Sequence, residues 1–422
     1  MIKANKLKNG LTVVSVPKPD TQAVTVMLLV PVGSRFETPS INGISHFLEH
    51  LMFKGTKKRP STLEITKLLD GVGAEYNAYT GKDHTAYYIK VAADHFELTL
   101  DLFSDMLFNS LFDKQEIDRE RGVIVEELNM YNDNPMFLVE TLMETSVFHK
   151  DHPLGYDIGG IKKNIRAIPR SSFISFKKNY YFPGNMHLVV AGKLPANKNR
   201  LINKYFGQYS EKHKKKSYKK FNDYQTGIQL FHKYKDTEQT QVSIGFLGLP
   251  YNHKDMPALS VLAVILGGNM SSRLFINIRE REGLCYVIRA DISPYHDTGV
   301  FSVHAGLDKT RLDSAIVAII KELKLIKDEP VSDDELSNAK EYLKGQTALK
   351  LEDSSALASW YGKQSVLTGK LITPEVKLKQ IENVTKRDVT RVANKIFRKT
   401  HINIASIGPY KSTTHLKRLI DL

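Results

Sequence analysis

Two runs near the amino terminus, residues 11–18 and 22–32, carry valine and leucine at the density of strands. From about Asn42 to Lys54 the apolar positions Ile44, Phe47, Leu48, Leu51 and Met52 wrap most of a helical circumference, the pattern of a buried helix. Gly55-Thr56 and then Pro60 end it. Ser61-Thr62-Leu63-Glu64 has capping-box order and starts a helix to about Leu69. Residues 74–80 and 84–92 are aromatic and β-branched, and the Gly81-Lys82-Asp83 turn between them predicts a hairpin. Helices are expected at about 94–110, 114–131, 134–148, 170–181 and 195–206, and a strand at 186–192. The lysine-rich stretch 208–222 reads as a linker.

The second half repeats this outline. Thr21-Gln22 opens a strand before the buried helix; Thr240-Gln241 opens another, Val242–Leu249, before a helix at about 255–267. Thr85–His95 and Thr298–Lys309 each run from a hairpin strand into a helix, at separations of roughly 210–220 residues. Helices at about 310–327, 331–349, 354–368 and 386–397 and a strand near 402–407 complete the second copy. Strand runs mixed with long helices predict an α+β fold of two homologous halves, residues 1–211 and 222–422, joined by a basic linker at 212–221.

Against this pattern His46, Glu49 and His50 stand out, because they share one stripe of a helix that is otherwise apolar. Burying three titratable groups is costly unless something satisfies them. A zinc ion does so, since imidazoles are its natural ligands, and H-x-x-E-H is the inverse of the common zinc-protease order. In the helix at 114–131, Glu116, Glu120 and Glu127 fall within a narrow arc, with Glu126 about 100° from Glu127. Carboxylates on one stripe repel each other unless they are solvated or face a cation. The ligand position left open by His46 and His50 selects Glu127 as third ligand, with Glu120 as a supporting carboxylate that orients the site. The second copy of the motif helix has Leu259, Leu262, Ala263 and Leu266 instead, so only the first half is equipped for one zinc per chain.

The 422 residues, 41% of them hydrophobic, suffice for full cores, and no apolar run reaches the length of a membrane span. The absence of an apolar signal segment and the single cysteine, Cys285, predict a cytoplasmic protein with no membrane partner. The net charge of +14 raises nucleic acid as a partner. Much of it lies in Lys212–Lys220, without a helix-turn-helix, finger or stacking-platform signature, so no nucleic-acid partner is expected.

With these motifs in view, the chain resembles the pitrilysin-type zinc peptidases, which include insulin-degrading enzyme and mitochondrial processing peptidase. The resemblance rests on residues 46–56 (His-Phe-Leu-Glu-His-Leu-Met-Phe-Lys-Gly-Thr), Asn77-Ala78-Tyr79-Thr80, residues 120–127, residues 267–275, and Arg279 through Tyr286. It implies His46, His50 and Glu127 as zinc ligands, Glu49 as the base and Glu120 as the supporting carboxylate. It further implies Arg279 and Tyr286 as groups that hold the substrate backbone and the developing oxyanion. Asn77, Ala78 and Tyr79 then belong to a strand that pairs with an extended peptide. The activity implied is zinc-dependent cleavage of extended or unfolded peptides in a chamber built by two chains, as a homodimer or with a related subunit. The rivals are a presequence-type processing peptidase, which the positive charge disfavours, and a non-catalytic scaffold subunit, which the complete motif disfavours.

Overall fold

A computed structural model describes residues 2–210, 213 and 215–422, and eleven strands form two sheets. The strands are β1 (Lys3–Lys6), β2 (Thr12–Pro17), β3 (Ala23–Val30), β4 (Glu75–Thr80), β5 (Thr85–Ala92), β6 (His187–Gly192), β7 (Gln229–Tyr234), β8 (Gln239–Leu247), β9 (Cys285–Pro294), β10 (Gly299–Asp308) and β11 (Asn403–Gly408). The first sheet runs β1-β2-β6-β3-β5-β4 and the second β7-β11-β8-β10-β9. In the first, β2 and β6 are parallel and the remaining neighbours antiparallel. In the second, β7 and β11 are parallel and the rest antiparallel. Five strands of one sheet thus repeat the five of the other in order and direction, the α+β duplication that the sequence predicts.

Each sheet belongs to its own compact unit. One comprises Met1–Leu128, Tyr156–Lys219 and Leu349–Ile372; the other comprises Asn129–Gly155, Lys220–Ala348 and Thr373–Leu422. This differs from a division at 211 and 222, because each unit holds a helix from the other half of the sequence. Helix Pro135–Phe148 buries Val139, Met143 and Val147 with Ala405 and Ile407 of β11. Helix Ser354–Leu367 buries Ala358 and Tyr361 with Met27 and Leu29 of β3. Gly362 of that helix lies so close to β3 that a Cβ there would stand 2.6 Å from Leu29 Cδ1.

Helices on both faces explain the apolar run of β3, interrupted by Thr25, whose buried hydroxyl pairs with that of Ser354. Val24, Val26, Leu28 and Val30 enter the core that holds the motif helix, while Met27 and Leu29 face helix Ser354–Leu367. A strand covered on both sides has no solvated face to alternate with. In the motif-helix core, Phe47 packs edge-on against Phe173 at 4.6 Å between ring centroids. Each such fully buried side chain contributes about 1.5–3 kcal/mol. Among the described residues no helix is long and apolar enough to cross a membrane.

The described lysines of the basic stretch, Lys215, Lys216, Lys219 and Lys220, are exposed, but Tyr218 among them is anchored. Lys212 and Lys214 lie outside the described residues. Tyr218 stacks on the guanidinium of fully buried Arg35, 3.8 Å from its ring centroid, and meets Phe36 edge-on. Arg35 also donates to Asp83 Oδ1 at 2.7 Å and to the Lys219 carbonyl. The loop bearing Arg35 is tied to the β4–β5 turn, since Ser34 N–H donates to the Gly81 carbonyl and Arg35 N–H to that of Lys82. Gly33 allows this approach: a Cβ there would stand 2.1 Å from the Gly81 oxygen and 2.7 Å from that of Lys82. Its φ of −159° suits any residue, so the constraint is steric. Gly33→Ala is expected to destabilise the protein by about 1–3 kcal/mol, read as a lower urea midpoint; a wild-type midpoint would contradict the close packing.

Candidate metal centre

The motif helix is shorter than its apolar pattern, spanning Ile44–Leu51. Gly43, at φ +100°, stops it at the amino end, and the turn after Leu51 tightens as Phe53 and Lys54 N–H bond the carbonyls of His50 and Leu51. Its unsatisfied amino end is held by a distant carboxylate. Buried Glu37 accepts from the N–H groups of Gly43 and Ser45, both at 2.8 Å, and from Asn42 Nδ2 at 2.9 Å. A carboxylate there satisfies orphan donors and meets the positive end of the helix dipole. Burial pushes the Glu37 carboxyl up, while these donors pull it down.

His46 and His50 lie one turn apart with their rings edge-on, and their Nε2 atoms are 3.3 Å apart. Helix Lys114–Asp133 brings Glu127 Oε2 to 3.7 Å from His46 Nε2 and 3.6 Å from His50 Nε2. Two turns earlier on the same helix, buried Glu120 accepts from His50 Nδ1 at 2.8 Å and from Lys54 Nζ at 2.6 Å. A proton held on His50 Nδ1 leaves the Nε2 lone pair facing the gap. Glu116, on the same predicted stripe, instead pairs with Arg119.

The donor set fits zinc. Tetrahedral ligands at about 2.0–2.1 Å from zinc stand about 3.3–3.4 Å from one another, and the three atoms here are separated by 3.3, 3.6 and 3.7 Å. Among the described residues this is the one group of three or more His, Cys, Asp or Glu side chains with ligand atoms converging in this way. Burial, with the charge of His50, lowers the His46 imidazole to about 4, leaving it in the neutral form that ligates metal. Burial also pulls His50 down, but the hydrogen bond and charge of Glu120, with Glu127 and Glu49, more than reverse this and raise it. The carboxylates thus favour positive charge at His50 enough to outweigh burial, though not at His46. Glu120 is held below the usual carboxylate range, burial being outweighed by the donors His50 and Lys54.

Glu49 is buried beside this group and accepts from the Thr80 hydroxyl at 2.5 Å. Burial raises its carboxyl, against the opposing effects of Thr80 and His50. Thr80 ends β4, the edge strand of its sheet, so Asn77, Ala78 and Tyr79 lie on an edge strand. Asn77 Oδ1 accepts the Ala78 N–H at 2.8 Å. In the second unit Arg279, on the helical turn Phe275–Arg281, stacks on Phe275 and lies 5.6 Å from the Tyr286 ring centroid. Tyr286, just beyond Gly283 on β9, is 72% exposed. The structure thus gathers His46, His50, Glu127, Glu49 and Glu120 in one group, and Arg279 with Tyr286 in another.

Three supporting residues were not singled out from sequence. Lys54 and Thr80 stand inside the stretches that carried the resemblance, whereas Glu37 has no local signal, since its partners are the Asn42 side chain and backbone groups six and eight residues on. Removing the Glu120 negative charge by Glu120→Gln is expected to weaken zinc binding about 10–100-fold, measured by competition with a chromogenic chelator; an unchanged affinity would show that Glu120 does not support the site.

Comparisons with known proteins give the family. The pattern described as insulinase (peptidase family M16) matches residues 12–159, and that described as peptidase M16 inactive domain matches residues 167–343. The Bacillus subtilis protein named uncharacterized zinc protease YmxG is 35% identical over 409 residues, covering 97% of this chain and 98% of its own. An uncharacterized zinc protease of Rickettsia felis is 37% identical over 411 residues, covering 96% and 97%. The crystal structure of a protease from Helicobacter pylori superposes with a TM-score of 0.91 at 27% identity, over 97% of this chain and 99% of that one. A peptidase M16 inactive domain from Pseudomonas fluorescens, at 18% identity, shares the fold with a TM-score of 0.89 over 98% and 99%. With both halves matched and relatives above 30% identity along nearly its whole length, the chain belongs to the insulinase family, peptidase family M16.

Proposed function

We propose that the protein is a zinc-dependent endopeptidase or oligopeptidase that hydrolyses extended or unfolded peptides. The observation that carries this reading is the convergence of His46 Nε2, His50 Nε2 and Glu127 Oε2 at 3.3–3.7 Å beside a buried carboxylate. Three protein ligands leave one tetrahedral position open, as catalytic rather than structural zinc sites do. Zinc held there would supply a Lewis acid and lower the pKa of a coordinated water to about 7.

The chain's own groups do the rest. Glu49, oriented by Thr80, takes a proton from the attacking water and returns it to the leaving amine. Its raised carboxyl lies nearer neutrality than an exposed glutamate, which suits a group that must both accept and release a proton. The open edge of β4 offers main-chain groups to an extended peptide without reading much sequence. Arg279 and Tyr286, side by side and with Tyr286 solvent-accessible, suit binding of the substrate carbonyl and the developing oxyanion.

The intact ligand set disfavours a non-catalytic scaffold, and the net charge of +14 disfavours basic presequences as substrates. The chamber reading calls for two chains, a homodimer being the simplest since one chain carries both residue groups. Glu49→Gln is expected to abolish peptide cleavage while one zinc per chain is retained, measured by fluorogenic turnover alongside metal analysis; persistent turnover would refute Glu49 as the base. Size-exclusion chromatography at micromolar concentration is expected to give a dimer, and a monomer would contradict the two-chain chamber.

A further inference from the structure

Alternate residues of β4 face opposite sides of its sheet. Tyr76 and Ala78 pack into the core of the motif helix, and Thr80 meets Glu49. Tyr79 points the other way, into the cluster formed with helix Ser354–Leu367. There its hydroxyl meets Ser359 and stands 3.3 Å from Nε2 of buried His84. One turn beyond Ser359, Lys363 places its Nζ 5.9 Å from the Tyr79 ring centroid. A peptide paired to the outer edge of β4 would direct every second side chain to this face, away from the zinc ligands.

Lys363 lacks a counter-ion. It is half-buried, and among the described residues it makes no ion pair or hydrogen bond. The acids at the start of this helix and on β4 are engaged elsewhere: Asp353 binds Lys90 at 2.7 Å and caps the helix, Glu75 also binds Lys90, and Glu352 binds Lys18. Lys350 adds a second positive charge to the neighbourhood. Burial and Lys350 both lower the Lys363 ammonium, a cost that a bound anion would relieve. His84, more than nine-tenths buried, has an Nδ1 with no hydrogen-bond partner among the described residues, so polar groups at this corner are incompletely satisfied.

We infer that Lys363 receives a carboxylate of the peptide substrate, carried by a residue on the sheet face opposite the zinc ligands, so that the enzyme prefers acidic peptides. This rests on the peptidase reading and on strand pairing at β4, and adds to them a specificity-determining residue. The carboxylate is that of an Asp or Glu side chain or of the peptide's carboxyl terminus.

The test uses the zinc-loaded full chain and a neutral fluorogenic parent peptide. Its variants carry one Glu or one Lys at successive positions, each with a free or an amidated carboxyl terminus. The wild type is expected to show about a tenfold higher kcat/KM, through KM, for Glu at one position or at two positions spaced by two, a difference of about 1.4 kcal/mol. Lys363→Gln should collapse the acid-to-neutral ratio to about one. Lys363→Glu should reverse it in favour of the Lys peptide, a gain that misfolding cannot produce. A preference abolished by amidation alone would assign the carboxylate to the terminus, and one that survives amidation would assign it to the side chain. The same ratios are read as Kd by anisotropy in the Glu49→Gln background. A wild type without acid preference in both assays, or a preference unaltered in both Lys363 variants, overturns the inference. Acid-selective binding that depends on Lys363, without turnover by the wild type, would uphold the inference and sink the peptidase reading alone.

Discussion

Everything distinctive about this chain depends on three donor atoms, carried by two helices, being held within 3.3–3.7 Å of one another despite their mutual cost. Two imidazoles and three carboxylates in a partly buried pocket is an arrangement that folding alone would disfavour. The protein meets that cost with positions set by packing. Phe47, Leu48 and Leu51 anchor the motif helix in the core, Glu37 grips its amino end, and Glu120, itself held by Lys54, fixes His50 from the far side of the ring. The pocket therefore carries an electrostatic demand for a cation that comes from side chains already locked in place, the condition for binding without reorganisation.

The sheets supply the rigidity. In the first unit both faces of β3 are covered, one by the core of the motif helix and the other by helix Ser354–Leu367. β4, the strand that touches Glu49 through Thr80, is zipped to β5 without a register slip from Glu75–Lys90 to Thr80–Thr85. The orientation of the base is thereby tied to the strand that ends the sheet. The second unit repeats the strand order but has leucines and an alanine where the histidines would be. Its motif-helix counterpart, Met256–Ala263, is buried as plain core.

Much of this was legible in the chain. The duplication showed in the Thr-Gln and Thr-to-His or Thr-to-Lys segments, because each copy must rebuild the same strand and hairpin. The metal ligands showed because titratable residues on an apolar helix contradict their surroundings, and helical geometry then selected Glu127 over Glu126. What stayed hidden were relations that no local pattern encodes. Nothing in the apolar periodicity of Pro135–Phe148 or Ser354–Leu367 tells which sheet it covers, so a linear domain boundary fails there. The lysine-rich stretch gives no local sign of its anchoring, because Tyr218 finds its partner in Arg35, 183 positions earlier. Strand β7 has no alternating pattern in the sequence, because its two apolar residues, Leu230 and Phe231, are adjacent and pack into different clusters. Glu37 was missed because a carboxylate that caps a helix from a loop leaves no spacing signature.

The most direct measurement of the central claim is a crystal structure of the protein as purified, with anomalous data collected on both sides of the zinc absorption edge. The account predicts one zinc peak per chain, about 2.0–2.2 Å from His46 Nε2, His50 Nε2 and a Glu127 carboxylate oxygen, with no fourth protein ligand. A zinc peak elsewhere, or Glu127 turned away from a metal held by the two histidines and other protein groups, would contradict it.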